Sequence, residues 1–207
     1  MKILVIRHGE SEADMMDVHE GRADFELTEK GHRQSQLLGE WIAAHYTVSK
    51  IYTSPLKRAL QTASYLSEFL ELTLCQDENL MEFNNGLIAG LDRETAAVKY
   101  PYVSDIPMHT AVYEQESLLE FRFRADYMLS KIISENPQDS TIIVVSHGGF
   151  INQLYRSFLK LPVDSDIFMS TGDTGIHCWK LLKESRRIIY SNNFSHMLEL
   201  LDPESPS

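Results

Sequence analysis

Two apolar, mostly β-branched runs stand out in the pattern of polar and apolar residues along the chain. Ile3-Leu4-Val5-Ile6 and Thr141 to Val145 show no alternation of polar and apolar side chains, which is typical of strands buried on both faces of a sheet. Shorter runs predict further strands at residues 50–53, 72–75, 175–182 and 188–194. The pattern therefore predicts six strands, two of them fully buried.

Apolar residues at helical spacing predict helices between these strands. The first begins near Thr28, a possible cap, and its core face carries Leu37, Leu38, Trp41, Ile42 and His45. Ser54-Pro55 opens the next helix, whose apolar stripe is Leu56, Leu60, Ala63, Leu66 and Leu70. A long helix over residues 116–136 carries the inward side chains Leu118, Leu119, Met128, Leu129, Ile132 and Ile133, and another helix ends near Leu159. Helices alternating with apolar strands predict an α/β sandwich with a mostly parallel sheet.

Two stretches lack this periodicity. Glu12 to Phe25 mixes polar residues with glycine and is predicted to be a loop. Residues 77–106 are interrupted by asparagine, glycine and proline, with a short helix at residues 94–100. We expect residues 77–115 to form a lid insertion over the sheet, within a single domain that spans residues 1–207. Residues 203–207 are expected to be a frayed end.

Composition and charge narrow the function classes. The chain has 207 residues, enough for one domain with a small insertion. A net charge of −11 argues against a general nucleic-acid or membrane surface as partner. It does not exclude a small phosphate ester, because a small anion responds to the local pocket. Cys75 and Cys178 form no disulfide framework and have no metal-ligand spacing, so a reducing cytoplasm is the expected location.

Candidate chemistry gathers where predicted strands end. Arg7-His8-Gly9 follows the first strand, Ser146-His147-Gly148 follows the second fully buried strand, and Arg58 follows the strand at residues 50–53. Open α/β sheets bind ligands at the carboxyl ends of their strands. If these strands are neighbours, two arginines whose planar donor forks suit phosphate oxygens converge with two histidines. One imidazole there can act as a nucleophile, and the amides of the helix opened by Gly148-Gly149 also favour an anion.

A nucleophile that attacks a phosphate ester needs an acid for the leaving alcohol. Glu82 lies between apolar side chains, an environment that favours the protonated, proton-donating form of a carboxyl group. Asp24, Glu10 and Glu78 are competitors on chemistry alone.

Other interpretations of these residues remain. The histidines could be ordinary strand-end residues, and Glu82 a surface carboxylate. His8, His147 and Glu82 also resemble a two-histidine, one-carboxylate metal set, although two arginines argue against a dication. Ser11 could contact a phosphate or simply cap a turn.

At this point a resemblance becomes specific. The chain resembles the histidine phosphatase superfamily, with its phosphoglycerate-mutase-like fold. Five motifs match in family order: residues 7–11 (RHGES), 21–24 with 27–31 (GRAD and LTEKG), 54–63 (SPLKRALQTA), 80–82 (LME) with Gly86 and Gly90, and 146–149 (SHGG). The resemblance implies a three-layer α/β/α sandwich with a mostly parallel central sheet and a small lid insertion.

The resemblance also implies roles for individual residues. His8 would be the nucleophile that becomes a phosphohistidine, and Glu82 the proton donor. Arg7, Arg58 and His147 would hold the phosphoryl group, with Gly9, Ser11 and Gly148 as further substrate-binding residues. Water would then hydrolyse the phosphohistidine. Neither a metal nor an organic cofactor is implied.

One position departs from the family pattern. The family often has asparagine six residues after the nucleophile, where this chain has Asp14. A carboxylate there would repel a phosphate dianion unless it turns away or pairs, for example with Arg22.

Three functions are compatible with this set of residues. The leading hypothesis is a phosphatase that acts on small-molecule phosphomonoesters. The alternatives are a cofactor-dependent phosphoglycerate mutase and a non-catalytic phospho-ligand binding protein. As the resemblance implies, mutases tend to be longer and to carry His-Gly-Asn where this chain has His147-Gly148-Gly149. The expected lid carries several aromatic residues and few basic ones, which favours an apolar or aromatic leaving group over a polyphosphorylated one.

Overall fold

Six strands form one sheet in the computed structural model, which describes residues 1–198. The strands are β1 (Lys2–Arg7), β2 (Lys50–Thr53), β3 (Leu74–Gln76), β4 (Thr141–Ser146), β5 (Ile176–Leu181) and β6 (Arg186–Asn193). Their order is β3-β2-β4-β1-β5-β6. The first four in that order are parallel, and β5 is antiparallel to both of its neighbours. The mostly parallel sheet predicted from the sequence is confirmed. Residues 203–207, predicted to be frayed, lie outside the described residues.

Helices connect and cover the strands. They are α1 (Glu12–Met16), α2 (Glu29–His45), α3 (Lys57–Leu70), α4 (Arg93–Lys99), α5 (Leu118–Glu135) and α6 (Gly148–Leu159), with 3₁₀ turns at Glu78–Leu80, Gly86–Ile88 and Ser195–Met197. Within residues 1–198, no helix combines the length and the apolar character that crossing a membrane requires.

The two faces of the sheet carry separate apolar cores. On one face, Leu4 and Ile6 of β1 pack with residues of α2 and α3, among them Leu38 and Leu66. On the other face, Ile3 and Val5 pack with residues of α5 and α6. Burial on both faces explains why β1 shows no polar alternation, and it makes the fold a three-layer α/β/α sandwich.

Helix α2 starts where the sequence predicts, and the helix that follows β2 does not. Thr28 caps α2 as predicted, with its side chain accepting a hydrogen bond from the Gly31 amide. The helix after β2 begins at Lys57, later than Ser54-Pro55 predicts. The reason is that the Ser54 amide still donates to the Val145 carbonyl of β4, which continues the strand pairing.

Three local predictions are wrong. Helix α1 lies inside the stretch predicted to be a loop, because Asp14 accepts from the Ser11 amide in a capping box that a five-residue helix can use. Leu119 is exposed rather than inward, because the buried face of α5 runs through Phe121 and Ala125. His45 ends α2 and is exposed instead of facing the core.

The sheet register aligns the ends of the central strands. Arg7 is level with Ser146 in the β1–β4 pair, and Thr53 is level with Val145 in the β2–β4 pair. The segments that follow these strands, beginning with His8, Ser54 and His147, therefore meet at one edge of the sheet.

Candidate active site

A cleft of about 400 Å³ opens at this edge. Arg7 and His8 line the cleft, together with Glu82 and Gly148 from two other segments of the chain. Glu20 adds a carboxyl group to the lining. The loop between α6 and β5 supplies a further wall through Phe168, Ser170 and Thr171. The cleft thus collects groups from five separate parts of the chain.

His8 is held in one orientation, with one ring nitrogen unprotonated. Its Nδ1 lies 2.7 Å from the Gly9 carbonyl oxygen. Because a carbonyl can only accept, Nδ1 carries the ring proton and Nε2 keeps its lone pair. Burial, together with Arg58 and Arg7, holds the pKa of His8 well below its usual value of 6.5. His8 is therefore neutral near pH 7, as a nucleophile must be.

Arg58 is fully buried and forms hydrogen bonds both to His8 and to the loop at residues 20–24. Its Nε donates to His8 Nε2 at 3.2 Å. Its two terminal nitrogens donate to the carbonyls of Ala23 (3.0 Å) and Gly21 (2.8 Å). The guanidinium fork thus fixes the loop at residues 20–24 against the nucleophile.

Arg7 is surrounded by carboxylates. Its Nη1 lies 3.2 Å from Asp173 and its Nη2 lies 3.5 Å from Asp14. Asp14 therefore pairs with Arg7. The suggested pairing of Asp14 with Arg22 is wrong, because Arg22 forms its ion pair with Glu116. Within the described part of the chain, Arg7 Nε is buried without a hydrogen-bond partner.

His147 faces His8, with ring centroids 5.1 Å apart. Its Nε2 lies 2.8 Å from the Ser54 hydroxyl, and its buried Nδ1 has no partner among residues 1–198. Burial and Arg58 lower the pKa of His147 well below 6.5. Buried polar atoms are normally satisfied, so the free Nδ1 of His147 and Nε of Arg7 indicate a place where an oxyanion can bind.

The side-chain carboxyl group of Glu82 lies at the N-terminus of α6. Its Oε2 accepts from the Gly149 amide at 2.8 Å, and its Oε1 accepts from the amides of Phe150 (3.0 Å) and Phe83 (2.8 Å). The apolar surroundings expected for this carboxyl group are therefore not found. The Gly149 amide, expected to favour the substrate anion, binds Glu82 instead.

The predicted competitors have other partners. Asp24 accepts from the Lys57 amide at the start of α3, and Glu10 bonds to Lys30 and Thr28. Glu78 does not line the cleft. The Ser11 hydroxyl is buried and contacts Glu20 and Asp14, so a direct role for Ser11 in substrate binding stays a prediction.

Sequence reasoning missed two acidic residues at the site, Glu20 and Asp173. Glu20 Oε1 lies 3.2 Å from Arg58 Nε, and its Oε2 lies 3.9 Å from His8 Nε2. Both residues lie in segments without hydrophobic periodicity, and their only sequence signal is a glycine next to or near them. Among residues 1–198, no group of three histidine, cysteine or acidic side chains has the geometry of a metal site.

Comparisons with known proteins show which family and which fold this chain resembles. The family model of the histidine phosphatase superfamily (branch 1) matches residues 3–193. Phosphoserine phosphatase 1 of Hydrogenobacter thermophilus is 28% identical over 94% of this chain and 93% of its own length. Phosphoglycerate mutase-like protein 4 of Arabidopsis thaliana is 31% identical over 75% of this chain and 70% of its length. The solved structure of Bacillus stearothermophilus YhfR is similar in fold, with a TM-score of 0.82 and 24% identity over 95% of this chain and 98% of that one.

Proposed function

The chain belongs to branch 1 of the histidine phosphatase superfamily and is a phosphoric monoester hydrolase, and we propose that it hydrolyses small-molecule phosphomonoesters through a phosphohistidine on His8. The observation that carries this proposal is the oriented, neutral imidazole of His8, which lines the cleft with Arg7 and whose unprotonated Nε2 accepts a hydrogen bond from Arg58. Such a nitrogen can attack phosphorus, provided that the charge on the phosphoryl oxygens is stabilised.

In the first step, His8 Nε2 forms a bond to phosphorus while the bond between phosphorus and the ester oxygen breaks. Arg7 and Arg58 are placed to stabilise the equatorial oxygens, and the free Nδ1 of His147 offers a further contact. If the Ser54 hydroxyl donates to His147 Nε2, then His147 Nδ1 carries a proton to donate. The protonated form of Glu82 gives its proton to the departing alcohol.

In the second step, a water oxygen forms a bond to phosphorus and the bond between phosphorus and His8 Nε2 breaks. Glu82, now a carboxylate, accepts a proton from that water and is reset, and phosphate leaves. One residue serves as acid and then as base because the two steps are formally the reverse of each other. None of these steps requires a bound cofactor.

The proposed substrate is a small phosphate ester with an apolar or aromatic leaving group. Phe168 on the cleft wall is 69% exposed and offers an apolar contact to such a group. We also propose that residues 77–115 act as a lid within a single domain. In support, the His19 amide donates to the Leu91 carbonyl and the Gly90 amide donates to the His19 carbonyl, next to Glu20. A cytoplasmic location stays a prediction.

The test compares His8→Ala with the wild type and with His45→Ala, which removes an exposed histidine at the end of α2. Phosphate release from an aryl phosphate is measured with and without EDTA, and protein quenched in alkaline denaturant is assayed for bound phosphate. His8→Ala should lose at least about a thousandfold in turnover and all acid-labile, base-stable label, while His45→Ala keeps both. Turnover retained by His8→Ala would overturn the proposal.

The same preparation separates the alternatives. Phosphoserine, glucosyl-3-phosphoglycerate and 3-phosphoglycerate extend the panel, because relatives carry the names of phosphatases for the first two. Isomerisation of phosphoglycerate without phosphate release would indicate a mutase. Tight phosphate binding without turnover on the whole panel would indicate a binding protein.

A further inference from the structure

Glu20 places a carboxyl group in the space that a phosphoryl group must enter. Its Oε2 lies 3.9 Å from His8 Nε2 and its Oε1 lies 3.2 Å from Arg58 Nε. The side chain is only 18% exposed, and it lines the same cleft as His8. The Ser11 hydroxyl, 2.5 Å from Oε1, holds the carboxyl group there.

A reacting phosphorus must come within about 3–3.5 Å of the attacking nitrogen. Its oxygens then lie beside Glu20 and share with it the positive charge of Arg58, whose Nε lies 3.2 Å from Glu20 Oε1. An ionised carboxylate accepts hydrogen bonds but cannot donate them, and the same is true of the oxygens of a phosphoryl dianion. One proton between the two groups turns this repulsion into a hydrogen bond.

We propose, on the premise of the phosphohistidine mechanism, that Glu20 is a phosphoryl-binding residue. It is protonated when substrate is bound and donates a hydrogen bond to a phosphoryl oxygen. Binding of a tetrahedral dianion therefore takes up one proton.

The surroundings of Glu20 favour this proton. Burial raises the pKa of Glu20 above its usual value, and the nearby Asp14 carboxylate raises it further. Three groups act in the opposite direction: Arg58 from α3, the Ser11 hydroxyl and Arg7. His8, at the end of β1, is neutral and adds no charge. An incoming anion takes over Arg58, the strongest group that keeps Glu20 ionised, so binding itself promotes protonation.

The consequence is a defined pH dependence. Below the pKa of Glu20 in the free enzyme, the proton is already present and affinity is flat. Above that pKa, the apparent dissociation constant of a dianion rises about tenfold per pH unit, because one proton must be taken up.

Competitive inhibition by sulfate tests this dependence, since sulfate is a tetrahedral dianion whose charge does not change between pH 5 and pH 8. The inhibition constant is measured across this range for the wild type, Glu20→Gln and Glu12→Gln. Glu12 is an exposed carboxylate on α1 and provides the same substitution outside the cleft. The wild type and Glu12→Gln should weaken about tenfold per pH unit at the alkaline end. Glu20→Gln, with a permanent amide donor, should not show this weakening and should bind sulfate more tightly than the wild type at pH 8.

Protons taken up by His8 or His147 on binding appear equally in all three proteins, so the difference in slope isolates Glu20. Equal slopes for the wild type and Glu20→Gln would overturn the proposal. Glu20→Ala provides a second comparison: it should lose the slope but, without a donor, bind more weakly than Glu20→Gln at every pH.

A measurement on the unmodified protein covers the case in which the variants fold poorly. Calorimetric titration with sulfate in two buffers of different ionisation enthalpy counts the protons taken up, and about one per sulfate is expected above the pKa of Glu20. No uptake would refute the role. Failure of the underlying mechanism is recognised separately, since it shows as turnover in His8→Ala.

Discussion

At the scale of single residues, Arg58 combines two tasks that a different cation could not combine. Its Nε donates a hydrogen bond to His8 Nε2, the proposed attacking nitrogen. Its two terminal nitrogens donate to the carbonyls of Gly21 and Ala23. Only a planar fork with fixed donor directions can reach all three acceptors at once. The same side chain therefore orders the loop that carries Glu20 and contacts the proposed nucleophile.

Arg58→Lys should consequently reduce kcat/KM by about 10²–10³-fold, the usual cost of losing one well-placed oxyanion donor. The charge is kept, so the loss reports the geometry of the fork. Steady-state kinetics with an aryl phosphate measure the effect. Arg33→Lys is the matched control, because Arg33 is exposed and donates to Gln36 on α2. Equal activity of the two variants would show that Arg58 serves as a simple positive charge.

The sequence was sufficient to predict the residues at strand ends and insufficient for those in irregular loops. Arg7, His8 and His147 directly follow or end apolar runs, so the topology of an α/β sheet brings them together. Glu20 and Asp173 reach the site through backbone paths that no periodic pattern encodes. Their positions depend on Arg58 and Arg7, which hold them by contacts between residues far apart in the chain.

At the scale of elements, the first turn of α6 positions the proposed acid. The free amides of a helix N-terminus need acceptors, and Glu82 supplies them for Gly149 and Phe150. Arg124 of α5 holds the same segment from behind by donating to the carbonyls of Met81 and Glu82. Glu82 is thus fixed by two helices that pack on one face of the sheet.

Gly149→Ala should displace Glu82 and reduce turnover. A Cβ atom at Gly149 would lie 2.5 Å from Glu82 Oε1, whereas a Cβ atom at Gly148 meets no atom of residues 1–198 within 4 Å. We expect a loss in kcat of about 10²–10⁴-fold for Gly149→Ala, the range for losing a general acid. Gly148→Ala adds the same methyl group to the same helix and should lose far less.

Two readouts identify the cause of the loss. The loss in kcat caused by Gly149→Ala should be smaller with a p-nitrophenyl phosphate ester than with an alkyl phosphate ester. The reason is that a good leaving group needs less help from an acid. The role of Glu82 would be contradicted if Gly149→Ala lost the same factor in kcat with both phosphate esters. It would also be contradicted if Gly148→Ala lost as much in kcat as Gly149→Ala. Thermal unfolding checks that both proteins remain folded.

Elements with strong periodicity were predictable, and short ones were not. β1 and β4 follow from uninterrupted apolar runs, and α2 follows from its apolar stripe and the Thr28 cap. Helix α1 has five residues and one buried side chain, too few to create a periodic signal. The loop that brings Phe168 to the cleft has no pattern either, so the sequence could not indicate that it forms part of the wall.

At the scale of the whole molecule, burial of histidines couples the stability of the fold to pH. His8, His147, His177 and His196 are all buried, and burial lowers the pKa of each. His177 on β5 shows why protonation is incompatible with the fold. Its Nδ1 accepts a hydrogen bond from the Asn192 amide of β6, and a protonated ring could not accept it.

The sign of the pH effect on stability follows from these shifts. The pKa of His177 falls from 6.5 to about 4 on folding, so between these values the unfolded chain binds a proton that the folded chain does not. The free energy of unfolding therefore falls as pH falls from 6.5 towards 4. Glu20 and Asp173, whose pKa values are raised by burial, act in the opposite direction, and a comparison of variants removes their contribution.

His177→Asn keeps an acceptor near the position of Nδ1 but cannot titrate. Its baseline stability should be lower, because the contact with Thr171 is lost, yet it should lose less stability on acidification. Between pH 7 and pH 5 the wild type should lose about 2 kcal/mol more than the variant. Urea unfolding at both pH values measures this difference. His45→Asn, which removes an exposed histidine, should lose as much as the wild type, and the same loss in His177→Asn would show that acid destabilises the protein through other groups.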